Sequence, residues 1–139
     1  MTLPVSDTQS SIPGVPPQVV GAPVDLEILA AYDALQIEGE PDLVVELIDL
    51  YRLEAPRRVN KMRSALNQRD WLAAKRHAHG LRGCSAALGA LSIVLICEMI
   101  EDLQSGEVQG SLAALLTCLE QELVRVMQSL DAERQRRRP

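Results

Sequence analysis

From Asp25 to near the carboxyl terminus, apolar residues recur every three to four positions, and nowhere do they alternate as a half-buried strand requires. Asp25 is placed to cap a short first helix with Leu26, Leu29, Ala30 and Ala31 apolar, ending before Gly39. A second helix starts near Pro41 and Asp42, with a stripe of Leu43, Val44, Leu47, Ile48, Tyr51, Ala55, Val59, Met62 and Leu66. Pro56 lacks the N–H that the helical ladder needs, which predicts a kink or break near Glu54. Asp70 caps a third helix ending near Gly89, and a fourth spans about Leu91 to Leu103, stopped by Ser105-Gly106. A fifth runs from Val108 or Ser111 to Glu133, with Leu112, Leu115, Leu116, Leu119, Leu123, Val126, Met127 and Leu130 facing inward. Helices of this length on short connections predict an all-α fold, an antiparallel up-down four-helix bundle with a short extra N-terminal helix over one end.

The ends differ from this middle. Residues 1–23 hold Pro4, Pro13, Pro16, Pro17 and Pro23 with no periodicity, and read as a disordered tail. The domain then occupies residues 24–133, and residues 134–139 read as a solvated basic tail favouring the negative end of the last helix. Hydrophobic residues make up 47% of the chain but aromatics only 2%, with no Phe, so the core must be aliphatic, which suits helix packing. A net charge of -5 and the lack of stacking aromatics argue against nucleic-acid binding. Cys84, Cys97 and Cys118 are odd in number and sit in apolar helical pattern, which fits a reducing compartment rather than a disulfide framework. There is no basic-then-apolar leader and no apolar run long enough to span a bilayer, so the expectation is a cytoplasmic, soluble protein, and a monomer because the bundle can bury its own apolar stripes.

One stretch breaks the economy of a good helix. Ala78-His79-Gly80-Leu81-Arg82-Gly83-Cys84-Ser85-Ala86-Ala87-Leu88-Gly89-Ala90 carries three glycines, and each glycine inside a helix costs about 1 kcal/mol relative to alanine. At 100° per residue Ala74, Ala78, Leu81, Ser85 and Leu88 form one stripe for the core, and His79 lies roughly 140° from its centre, open to solvent. Lys75, Arg76 and Arg82 are its cationic neighbours, and Gly83 leaves a bare patch beside it. His77 points about 200° away from His79 and reads as a partly packed structural histidine. For the same reason His77, His79 and Cys84 cannot share a metal ion from one helix. A hydrolase would need a nucleophile beside His79, and Cys84 and Ser85 face inward.

This run closely resembles the signature of histidine-containing phosphotransfer (HPt) domains, in which a histidine is followed by a cation three residues on, a glycine at four and Gly-Ala at ten and eleven. Arg82 stands where lysine is usual and Cys84 where a small serine is common; Gly80 has no evident reason. The resemblance covers about residues 25–131 and implies the same helical bundle. It implies that His79 is the phosphoacceptor, with Arg82 and Lys75 stabilising the phosphoryl group and Gly83, Arg76, Ala86 and Leu72 forming a docking face. The implied partners are receiver domains of a hybrid histidine kinase and of a response regulator, which would supply the aspartate and the Mg²⁺. The chain itself is expected to be a stoichiometric phosphocarrier with no ATP site, no metal and no cofactor of its own. The competing reading is a helical interaction module that docks on a receiver or kinase and is never phosphorylated.

Overall fold

The computed structural model describes residues 22–104 and 108–137, and all regular elements among them are helical. They are α1 (Leu26–Ala31), a 3-10 turn (Tyr32–Leu35), α2 (Leu43–Asn67), α3 (Trp71–Ala87), α4 (Leu91–Glu101) and α5 (Val108–Arg137). Three aspartates start three of the helices. Asp25 accepts from the Glu27 N–H (3.0 Å), Asp42 from Val44 and Val45 (2.9 and 3.2 Å), and Asp70 from Ala73 (3.1 Å). Each satisfies backbone donors that have no partner inside the helix.

The helix ends are equally local. Beyond α3, Gly89 turns to φ 77° while Ala90 N–H donates to Ser85 (2.9 Å) and Gly89 N–H to Ala86 (3.1 Å). Beyond α2, Arg69 does the same at φ 56°, with Asp70 N–H on Ala65 and Arg69 N–H on Leu66. Both are Schellman turns, which reverse the chain within three residues and lay consecutive helices side by side. The Ser105-Gly106 stop expected after α4 and most of the N-terminal tail lie outside the described residues.

Pro56 does not break α2, which runs unbroken through it. A proline inside a helix costs about 3 kcal/mol. Against it stand Val44, Ile48, Tyr51, Ala55, Val59, Met62 and Ala65, all buried along one face of the helix. The larger of these are worth about 1.5–3 kcal/mol each, so burial outweighs the lost hydrogen bond several times over.

The four long helices close a ring in which each packs on its sequence neighbours and α5 returns to α2. Ion pairs mark the return: Arg63 with Glu120 (2.7 Å), Arg52 with Asp131 (2.6 Å) and Arg134 with Asp49 (2.8 Å). The numbers rise along α2 as they fall along α5, so the two are antiparallel. Aliphatic side chains fill the interior, with Leu81, Ile96, Leu116 and Leu130 wholly buried. Among the described residues a polar pair sits in this interior, Tyr51 and Ser85, whose hydroxyls bond each other at 2.7 Å. No helix among the described residues is long and apolar enough to cross a membrane.

The N-terminal segment lids the end of the bundle where α3 turns into α4. Leu29 is fully buried there, Asp25 N–H donates to Gly89 (2.8 Å) and Tyr32 Oη–H to Ala87 (2.7 Å). The carboxyl terminus holds the lid from the other side, and this corrects the expectation of a solvated tail from residue 134. Helix α5 continues to Arg137, whose guanidinium is largely buried. It donates to Asp33 of the 3-10 turn (2.9 Å), to the α2 cap Asp42 (3.4 Å) and to Glu133 (2.7 Å). The bond from Arg137 holds the Asp33 carboxyl below its ordinary value. Burial works to raise Glu133, but hydrogen bonds from Arg136 and Arg137 outweigh it and leave that carboxyl lowered.

A lowered carboxyl pKa contributes stability that is complete above the unfolded value and lost as pH falls through the folded one. Arg137→Gln should therefore destabilise the bundle by about 2 kcal/mol at neutral pH, measured by thermal or denaturant unfolding. The gap between variant and parent should shrink as pH falls below the ordinary carboxylate range and Asp33 and Glu133 protonate at their lowered values.

Candidate functional site

Helix α3 presents two faces. Ala74, Ala78, Leu81, Ser85 and Leu88 are buried, as their spacing requires. His79 stands on the opposite side with its side chain 68% exposed. The neighbouring positions Leu72, Arg76, Gly83 and Ala86 are exposed on that same side. A Cβ built on Gly83 would meet nothing within 4 Å, so the space beside the imidazole is open.

The imidazole has a carboxylate partner on one side. Its Nδ1 lies 2.7 Å from Glu101 Oε2, at the last residue of α4. Arg82 pairs with the other carboxylate oxygen (2.6 Å) and its Nη2 comes within 3.0 Å of the same Nδ1. A carboxylate only accepts, so the short contact assigns the proton to Nδ1. The guanidinium then cannot donate to that nitrogen and acts as a neighbouring positive charge. This tautomer leaves the lone pair on Nε2, the nitrogen remote from the carboxylate.

The flanking cations separate in role. Arg82 touches the imidazole and its carboxylate. Lys75, expected beside the phosphoryl group, donates instead to the Leu103 carbonyl (2.6 Å) just past the end of α4. There it satisfies a backbone acceptor just beyond a helix terminus.

The other site residues read from the sequence fall as follows. His77 is half-buried, and burial together with Arg58, Lys61 and Arg76 pushes its pKa below 6.5. Its Nδ1 is buried without a hydrogen-bond partner, which fits a packed neutral ring and not a ligand. Cys84, expected to be buried, is half-buried in a groove with Leu50, Leu53 and Tyr51. Burial raises its thiol, which disfavours the thiolate needed for nucleophilic chemistry. Cys97 and Cys118 are buried and free. Among the described residues no three His, Cys, Asp or Glu side chains converge as metal ligands.

Gly80 has a reason that sequence did not reveal. The Arg58 guanidinium of α2 lies across it, and a Cβ at Gly80 would sit 2.6 Å from Arg58 Cζ. Glu54 holds Arg58 in place through a 2.8 Å bond to Nε. Glu101 was likewise missed, although a signal existed. Two antiparallel helices reversing at Gly89 bring positions at similar distances either side of it together, and His79 and Glu101 are such a pair.

Comparison with known proteins agrees with this geometry. The family model described as the Hpt domain matches residues 46–133, more than half of the chain. The crystal structure of histidine-containing phosphotransfer protein B from Pseudomonas aeruginosa superposes with a TM-score of 0.68 at 29% identity, covering 85% of this chain and 99% of that one. No curated protein matches the sequence. A helical bundle with an exposed, oriented histidine and a family match across that bundle lead to one assignment: the chain belongs to the Hpt domain family and has a phosphotransfer role in two-component signalling.

Proposed function

We propose that the protein is a phosphorelay intermediate in which His79 Nε2 takes a phosphoryl group from the aspartyl phosphate of one receiver domain and gives it to the aspartate of another. The observation that carries this reading is the held, exposed imidazole: Nδ1 fixed by Glu101, Arg82 beside it and open space over Gly83. Nε2 attacks phosphorus, the P–O bond to the aspartyl carboxyl breaks, and its electron pair leaves with the carboxylate. The imidazole keeps its Nδ1 proton and becomes a phosphorylated cation, which the Glu101 carboxylate balances. Arg82 is the group placed to offset charge on the phosphoryl oxygens. The Mg²⁺ that such transfer uses would come with the receiver. Transfer in either direction follows from the same geometry, and the chain needs no nucleotide to perform it.

The second reading is a docking module that is never phosphorylated. Incubation with a panel of phosphorylated receiver domains distinguishes the two. The carrier acquires acid-labile, base-stable label, and His79→Gln abolishes it. Label that survives His79→Gln, or a wild type that no receiver labels, removes the carrier reading.

The two cations should then behave differently. Arg82→Ala should slow transfer at saturating receiver by about one to two decades, the loss of a charge-assisted contact near the reacting group. Lys75→Ala should change saturated transfer by less than Arg82→Ala does and instead lower thermal stability, because its ammonium caps α4. The reverse ranking would show that Lys75 leaves Leu103 when a phosphoryl group arrives.

Gly83→Glu should fold at least as well as the parent, since the added side chain meets nothing and glutamate is the better helix former. Circular dichroism checks the fold. Transfer should nevertheless collapse, because a bulky anion would stand where the receiver cleft must close. Unchanged transfer would mean that receivers do not approach over this face.

A further inference from the structure

All fourteen Lys and Arg residues lie after residue 51, while residues 22–51 hold eight of the nineteen carboxylates. The lid and the first turns of α2 thus contribute negative charge alone. The fold neutralises part of it from within. Arg134 and Arg137 of α5, three residues apart, seat on Asp49, Asp33 and Asp42. Glu27, Glu38, Glu40 and Glu46 are exposed and have no cationic partner among the described residues.

Residues 35–46, where the lid joins α2, enclose a cleft of about 160 Å³. Its wall is aliphatic, formed by Leu35, Ile37, Pro41 and Leu43. Leu35 and Ile37 stand 65% and 67% exposed. The loop that presents them is braced. Gln36 Nε2 donates to the carbonyls of Ile37, Glu40 and Pro41 (3.2, 3.1 and 2.9 Å), and its Oε1 accepts from the Leu43 N–H (2.7 Å). The Glu40 N–H donates to Ile37 (3.0 Å). Large aliphatic side chains held together in solvent with a polar rim have the composition of a contact surface. The Gln36 amide is occupied by the loop itself, so the polar side chains left at the cleft are Glu40 and Glu46. A ligand there must bring an apolar group together with positive charge. The volume is below the roughly 300 Å³ at which small-molecule sites begin. Among the described residues no third ligand joins the two carboxylates to make a metal site.

We propose that this cleft is a docking site for a partner protein's segment in which an aliphatic side chain is flanked by Lys or Arg residues. Charge complementarity selects that occupant, and the fold supplies a precedent, since α5 already lays guanidinium groups at helical spacing on the neighbouring carboxylates. The cleft is remote from the imidazole. Arg58, which lies across Gly80 beside His79, is fifteen residues along α2 from Leu43, about 22 Å at the helical rise. A partner held at the lid leaves His79 uncovered, so this docking does not depend on what His79 carries. Aliphatic contact fixes the place of binding, and opposite charge speeds the encounter.

The probe is a synthetic amphipathic helical peptide of leucine and lysine, titrated into the full chain at low ionic strength. Amide signals of residues 35–46 should shift first, and a peptide with alanine in place of leucine should bind about tenfold more weakly. Ile37→Ser leaves net charge unchanged and should weaken binding of the leucine peptide about fivefold. Glu40→Gln with Glu46→Gln should weaken it about tenfold. The control, Glu98→Gln with Asp102→Asn, alters exposed residues of α4 and its cap by the same charge and should cost less than about twofold. The cleft variants should keep the parent's circular dichroism, because the altered side chains are exposed. Equal weakening by both charge pairs would reduce the effect to general acidity and overturn the proposal. So would unchanged binding in Ile37→Ser, an alanine peptide as tight as the leucine one, or first shifts around His79. Concentration-dependent dimerisation of the parent that the cleft variants abolish would give the surface to a second copy of the chain, and overturns the proposal as well.

Discussion

The reversal at Leu88-Gly89-Ala90 determines what His79 faces. Gly89 takes a left-handed conformation and its missing side chain admits the Asp25 backbone, since a Cβ there would lie 2.7 Å from the Asp25 carbonyl oxygen. With the turn fixed, register follows from the common rise of two helices. His79 is ten residues before Gly89 and Glu101 twelve after, and the next rung outward joins Lys75 to Leu103. One residue more or less in the turn would rotate α4 by about 100° and carry Glu101 away from the imidazole. The lid belongs to the same unit. Asp25 bonds Gly89, Tyr32 bonds Ala87, and Arg137 holds the lid at Asp33, so the turn is clamped by both ends of the domain.

What could be read from sequence was what is local. The aspartate caps, the apolar stripe of α3 and the outward position of His79 depend on residues three or four apart, and the structure keeps them. Of the kink or break expected at Pro56, the break does not occur, because the rule for proline weighs one hydrogen bond and ignores the buried face on either side. The carboxyl end misled differently. Arg134 and Arg137 look like a solvated run until a fold brings Asp49, Asp33 and Asp42 to them from 85 to 104 residues away. Glu101 and Arg58 escaped for the same reason, since long side chains bridge helices whose register no single helix contains. Whole-chain net charge concealed that residues 55–88 hold eight cations and one carboxylate, because an average discards order along the chain.

On the proposed reading, in which His79 carries the phosphoryl group, the two flanks of the imidazole serve opposite needs. A neutral imidazole that bonds to phosphorus becomes a cation, and a carboxylate on Nδ1 lowers the cost of that charge while fixing which nitrogen reacts. A carboxylate on the side of approach would do the opposite, repelling both the phosphoryl group and the acidic site that carries it. Placing Glu101 on α4, behind the ring and partly neutralised by Arg82, meets the first need without the second penalty. Helix α3, which carries His79, contains no carboxylate along its whole length. Gly80 completes the arrangement. A side chain there would force the Arg58 guanidinium, the far end of a flexible side chain, to move from its place across Gly80. The glycines of this stretch thus sit in three different settings: a close-packed reversal at Gly89 just beyond the helix, open space at Gly83, and at Gly80 a guanidinium laid across from another helix.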